Sequence, residues 1–146
     1  MELDCKVAPK EWLMQAEQTM KDTPADQKVE IKTIHYKCNG MYAREVFIPK
    51  GTMLSGEIHK KEHINVISLG RILVITEEGK REVKAPCTMI VGPGVKRIGY
   101  ALEDTIWITF HATDKLDLEE IRKEVIAESY DDYLEYKKEG VKCLGS

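Results

Sequence analysis

The chain has 146 residues, 42% of them hydrophobic and 32% charged, a balance that specifies one soluble globular domain able to bury a core without staples. Its formal net charge of −3 excludes a broad nucleic-acid-binding surface and leaves room only for a local basic pocket. No apolar run approaches the roughly 20 residues that cross a bilayer, and the start MELDCKVAPKEW lacks the profile of a secretory signal. A cytoplasmic protein is therefore expected, with Cys5, Cys38, Cys87 and Cys143, scattered without a CxxC pair, as reduced thiols.

From Pro9 to Met20 the spacing predicts an amphipathic helix. Trp12, Leu13, Ala16 and Met20 recur on one side, Pro9 suits the first turn, and Glu11 lies near the positive end of the dipole. Asp22-Thr23-Pro24 breaks it. Between Val29 and His111 the pattern changes to short strands separated by turn signals. Asn39-Gly40, between IKTIHYKC and MYAREVFIP, predicts a two-residue hairpin. Glu78-Gly79 is expected to turn VITE into KREVKAP, and Gly92-Pro93-Gly94 to turn CTMIV into KRIGYA. Thr105 to His111 is the last clear strand. After it, Asp117 is placed to cap a helix running LEEIRKEVIAESY, with Leu118, Ile121, Val125 and Ile126 on one side. The end, from Ser129, reads either as a short helix packed through Tyr130, Tyr133 and Leu134 or as a trailing tail. The plan is an N-terminal helix and linker over 1–28, a barrel over 29–113, and a C-terminal helix and tail over 114–146.

Within that plan the stretch GTMLSGEIHKKEHINVISLG, from Gly51 to Gly70, is similar to the first motif of cupin barrels. That motif runs glycine, five residues, His-x-His, three or four residues, Glu, six residues, glycine. Here the spacing is kept, but Glu57 stands where the first His is expected and His63 where the Glu is expected. Alternate residues of a strand share a face, so Glu57 and His59 should point together, Lys60-Lys61-Glu62 should turn, and His63 should open the next strand beside them. If that face is the interior, a carboxylate and two imidazoles converge there and suit a divalent ion such as Fe, Mn, Ni or Zn. The alternative is that HKKEH is a solvated turn. In the second motif, after Gly92-Pro93-Gly94, the position of the usual ligand His holds Arg97. A guanidinium stays protonated and ligates no metal; it either pairs with Glu57 or binds the carboxylate or phosphate of a ligand.

The last strand places Trp107, Thr109 and His111 on one face and Ile106, Ile108 and Phe110 on the other. The first set reads as a pocket for a planar ligand or, alternatively, as core tryptophan and surface histidine. Arg44 and Tyr100 are candidates to extend the same cavity, with Lys96 as further charge; His35 reads as surface or structural.

From Met41 to Leu118 the chain resembles the small single-barrel cupins encoded by tailed bacteriophages and prophages. The resemblance rests on YAREVFIPKG, GEIHKKEHINVISLG, KAPCTMIVGPGVKRIGYALEDTIWITFH and the trailing acidic helix. It implies a mainly β fold, a single cupin (jelly-roll) β-barrel with flanking N- and C-terminal helices, acting in an infected bacterial cell and forming a homodimer or higher homo-oligomer. Cupin folds serve many chemistries, so fold does not select one. The first expected function is capture of a small anionic or nucleotide-like molecule, such as a host immune signal, through Arg44, Glu57, His59, His63, Arg97, Tyr100, Trp107 and His111. The alternative is a metal-dependent oxygenase, isomerase or hydrolase using Glu57, His59 and His63. A third reading makes the acidic, tyrosine-rich segment from Ser129 to Tyr136 a docking site for a host protein.

Overall fold

The computed structural model describes residues 10–144; the expected roles of Pro9 and Cys5, and the side chain of Cys143, lie outside the described residues. Helix α1 (Lys10–Asp22) and a 3-10 turn (Ala25–Gln27) precede the strands. These are β1 (Lys32–Cys38), β2 (Met41–Ile48), β3 (Met53–Ser55), β4 (Ile58–His59), β5 (His63–Leu69), β6 (Arg71–Thr76), β7 (Gly79–Lys84), β8 (Cys87–Val91), β9 (Ile98–Ala101) and β10 (Thr105–Ala112). Helix α2 (Leu118–Val125), β11 (Ile126–Ala127) and α3 (Tyr130–Leu144) complete the described chain.

Two antiparallel sheets face one another, one of five strands in the order β1-β2-β10-β5-β8 and one of four in the order β3-β9-β6-β7. Between them lies an apolar core of Val46, Ile48 and Ile67 from the first sheet and Ile72, Val83 and Ala101 from the second. The β1–β2 hairpin turns at Asn39-Gly40, where Gly40 takes φ +80°, a conformation cheap only for glycine. The β6–β7 turn falls one residue earlier than predicted, on Glu77-Glu78, and Gly79 opens β7 at φ +127°. Gly70 links β5 to β6 at φ +87°, and any Cβ there would overlap the Asp104 carbonyl.

Helix α1 covers the outer face of the four-stranded sheet. Its predicted apolar side, Trp12, Leu13, Ala16 and Met20, packs on Met53, Leu73, Ile75 and Ile98. Lys96, expected as ligand charge, instead ties this helix down: its Nζ pairs with Glu17 at 2.6 Å and donates to the Gly56 carbonyl at 2.8 Å.

The helix predicted to run from Asp117 through Tyr130 is shorter. Asp117 caps it, its Oδ2 accepting from the Glu120 amide at 3.1 Å, but the helix ends at Val125. Ile126 turns extended, and Ile126-Ala127 pair as β11 with His59 and Ile58 of β4. Burial of both residues in a strand ladder outweighs the local helical periodicity. From Tyr130 the terminal segment is helical in α3, whose Tyr133 is buried against Ile58 and Ala127 and covers Gly94 so closely that a Cβ would strike its ring. Among the described residues no helix is long and apolar enough to cross a membrane, and Cys38 and Cys87 are free thiols.

Candidate functional site

The alternation of β10 turns Trp107, Thr109 and His111 between the sheets, where they line a cavity of about 380 Å³. β2 contributes Tyr42 and Arg44, the β3–β4 segment Glu57 and His59, the residue before β9 Arg97, and α2 closes the top with Leu118, Ile121 and Arg122. The segment carrying α2 is held over the mouth by the β4–β5 turn. The Lys60 amide donates to the Val125 carbonyl at 2.7 Å, and Lys60 Nζ to the Lys123 carbonyl at 2.8 Å.

Three imidazoles form a stack on one wall. The His59 and His63 ring centres are 3.9 Å apart, His59 and His111 4.9 Å, and His63 and His111 5.2 Å. Tyr42 stacks on His111, and exposed His35 on Tyr42, with His35 Nδ1 2.7 Å from the Tyr42 hydroxyl. Burial, then neighbouring His63 and His111, pushes His59 down to about 2, and burial followed by His63 pushes His111 down to about 4. His63 is lowered as well, chiefly by burial. All three rings are neutral at pH 7. His63 Nδ1 donates to the Lys61 carbonyl at 3.0 Å, which leaves its Nε2 as an acceptor; that atom and His59 Nδ1 are buried without a partner among the described residues.

The cationic side of the cavity is built differently. The Arg97 guanidinium lies over the Trp107 ring, 5.2 Å from its centre, and burial lowers its proton affinity to about 10. Among the described residues no carboxylate pairs with it. Glu57, the one acidic residue lining the cavity, is bonded to Arg122 instead. Arg44 stands exposed at the wall.

The structure therefore brings Arg44, Glu57, His59, Arg97, Trp107 and His111 to one cavity, with His63 directly behind His59. It does not bring Tyr100 there. On β9 Gly99 faces the cavity, and Tyr100, next in the alternation, lies on the opposite face. The sequence reading missed Asn65, fully buried on β5, whose Oδ1 accepts from Trp107 Nε1 at 3.0 Å and from the Thr109 hydroxyl at 2.8 Å. The signal was available: Asn65 follows His63 by two residues in the same strand. For Tyr42 the alternation with Arg44 gave the same hint, whereas Arg122 had none.

A divalent ion finds suitable atoms here but not a suitable arrangement. Neutral imidazoles with unpartnered nitrogens are the chemistry a metal requires. Yet the rings lie within 16–29° of parallel, so their in-plane lone pairs do not meet at one point. Glu57 is engaged by Arg122, and the Arg97 charge acts on His59 and His63. Among the described residues no set of three His, Cys, Asp or Glu side chains is arranged to hold a metal. The residues as placed do not fit the metal centre that the cupin motif implies.

The two facing sheets form a jelly roll, the fold of solved cupin structures. The chain is similar to KdgF from Halomonas sp. (TM-score 0.51, 20% identity, 62% of this chain and 88% of that one). It is similar to a cupin superfamily protein from Desulfitobacterium hafniense (0.50, 8% identity, 60% and 82%). It also resembles salicylate 1,2-dioxygenase from Pseudaminobacter salicylatoxidans (0.55, 11% identity), covering 81% of this chain but only 37% of that chain. At these identities the likeness establishes the fold: a mainly β cupin jelly roll with flanking helices. No protein-family model and no curated protein sequence matches the chain.

Proposed function

We propose that the chain is a cupin-fold binding protein for a small organic anion, whose acid group pairs with Arg97 inside the cavity. One observation carries this reading: a half-buried guanidinium that meets an indole face and, among the described residues, no carboxylate. A buried charge without a counter-charge is costly, by several kcal/mol in ordinary cases. A ligand carboxylate or phosphate removes that cost and gains a bidentate pair. Three arginines and a single carboxylate among the cavity-lining residues give the same sign to the whole pocket. Arg44, at the wall, would meet a second acidic group, and Trp107 offers a flat surface for a planar one, as in a nucleotide-like ligand. In the bacteriophage setting that the sequence resemblance implies, such a ligand would be a host metabolite or signal.

Isothermal titration with acetate, benzoate, succinate and adenosine monophosphate tests this directly. At least one is expected to bind the wild type, with affinity falling a hundredfold or more in Arg97→Gln and an unchanged fold by circular dichroism. Equal affinity in Arg97→Gln would overturn the reading.

The metal-dependent enzyme has one observation in its favour, the unpartnered nitrogens of His59 and His63. Native mass spectrometry after incubation with Fe(II), Mn(II), Ni(II) or Zn(II) separates the two. One tightly retained ion per chain, lost in the double variant His59→Ala, His63→Ala, would replace anion capture as the leading reading.

A further inference from the structure

The jelly roll is open on one side. β7 is an edge of the four-stranded sheet and β8 an edge of the five-stranded sheet, and these edges do not pair. Between them lies a second cavity of about 400 Å³. Its apolar wall comes from Val74, Val83, Met89, Val91 and Val95, with Ile90 at the rim, 71% exposed. Thr76, Glu78, Lys80 and Arg81 give it a polar side.

Val74, Arg97 and Trp107 line this second cavity and the histidine-bearing cavity alike. The stacked guanidinium and indole are thus part of the wall between the two spaces. Asn65 fixes the indole through its N–H. The Arg97 side chain has no such anchor among the described residues beyond the ring it covers. The two cavities thus adjoin at a side chain that, among the described residues, is held by stacking alone.

We propose that the two cavities form one binding channel, and that its ligand is an amphipathic carboxylate. The carboxylate sits on Arg97, and an unbranched or aryl apolar portion passes Trp107 into the space between β7 and β8. This rests on the anion-binding reading above and deepens it. The valines and Met89 of the second cavity favour a ligand with an apolar portion, because each methylene buried against them is stabilising. One inner guanidinium without a carboxylate partner among the described residues matches a single negative charge.

The test is calorimetric titration with butanoate, hexanoate, octanoate and decanoate, each below its micelle concentration, against wild type, Val95→Phe, Ile90→Glu and Arg97→Gln. In the wild type, affinity is expected to rise about fourfold per methylene until the second cavity is filled. Val95→Phe, which occupies that cavity, and Ile90→Glu, which puts a charge at its rim, should flatten the rise. Butanoate, which reaches only the first cavity, should keep its affinity in both, and Arg97→Gln should weaken every acid by a similar factor. Because Ile90 is exposed, its variant guards against a folding defect in Val95→Phe. Affinity that depends on Arg97 but not on chain length would overturn the channel and leave anion binding intact. A rise that survives both cavity variants would also overturn it. If no acid binds at any length, the channel and the anion reading fail together.

Discussion

The indole N–H of Trp107 donates to Asn65 Oδ1 at 3.0 Å, and the Thr109 hydroxyl donates to the same oxygen at 2.8 Å. One fully buried amide thus orients the ring on which Arg97 rests. Its own Nδ2 is buried without a partner. Replacing Asn65 with Ala strands two donors and opens a small void, a loss of about 3 kcal/mol in unfolding free energy. Urea titration measures it, and Trp107 emission should shift as its partner is lost. A cost below about 0.5 kcal/mol would show that the hydrogen bonds do not hold the ring.

Gly70 and Gly40 share a positive φ, +87° and +80°, but not an environment. A Cβ at Gly40 meets open space, so Gly40→Ala should cost only the backbone strain, about 1 kcal/mol. At Gly70 a Cβ overlaps the Asp104 carbonyl, and Gly70→Ala should cost at least ~2 kcal/mol more. Paired thermal melts of the two variants test the difference; equal midpoints would contradict the close approach of the β5–β6 link to Asp104.

The three imidazoles make stability depend on pH in a definite direction. Well above pH 6.5 they are neutral in folded and unfolded chains alike. As pH falls through 6.5 the unfolded chain takes up protons, while folded His111 resists until about 4 and His59 until about 2. The unfolded state then binds more protons, so stability declines with acidification across that window. Urea midpoints at pH 7 and pH 5 should differ accordingly, and His59→Gln should shrink the difference. A midpoint that rises on acidification would refute the burial of the cluster.

Lys96 Nζ is almost wholly buried, 5% exposed, and its counter-charge is Glu17 on α1, 25% exposed. Removing only Glu17 leaves a buried ammonium held by the Gly56 carbonyl alone. Glu17→Ala should therefore destabilise by roughly 2 kcal/mol, whereas Glu17→Leu combined with Lys96→Met should fall within about 1 kcal/mol of the wild type. Chemical denaturation of the two variants checks this, and a double variant worse than Glu17→Ala would count against it.

Much of the fold was legible locally because its signals are local. Asn39-Gly40, the helical spacing of Trp12, Leu13, Ala16 and Met20, and the Asp117 cap act over a few residues, and each occurs where the sequence puts it. The strand period also placed Trp107, Thr109 and His111 on one inward face. What failed was longer in range. The helix after Asp117 stopped at Val125 because Ile126 and Ala127 found β4, nearly seventy residues earlier.

By itself, then, the sequence determined which residues share a face: side-chain direction in a strand follows from backbone geometry alone. Tertiary structure decided which faces meet and which charges pair. It gave Glu57 to Arg122, Lys96 to Glu17 and Tyr42 to the histidine stack, turned Tyr100 away, and left Arg97 with an indole. Those choices depend on distances set by strand crossings and helix docking, and such distances exist only once the chain has closed on itself.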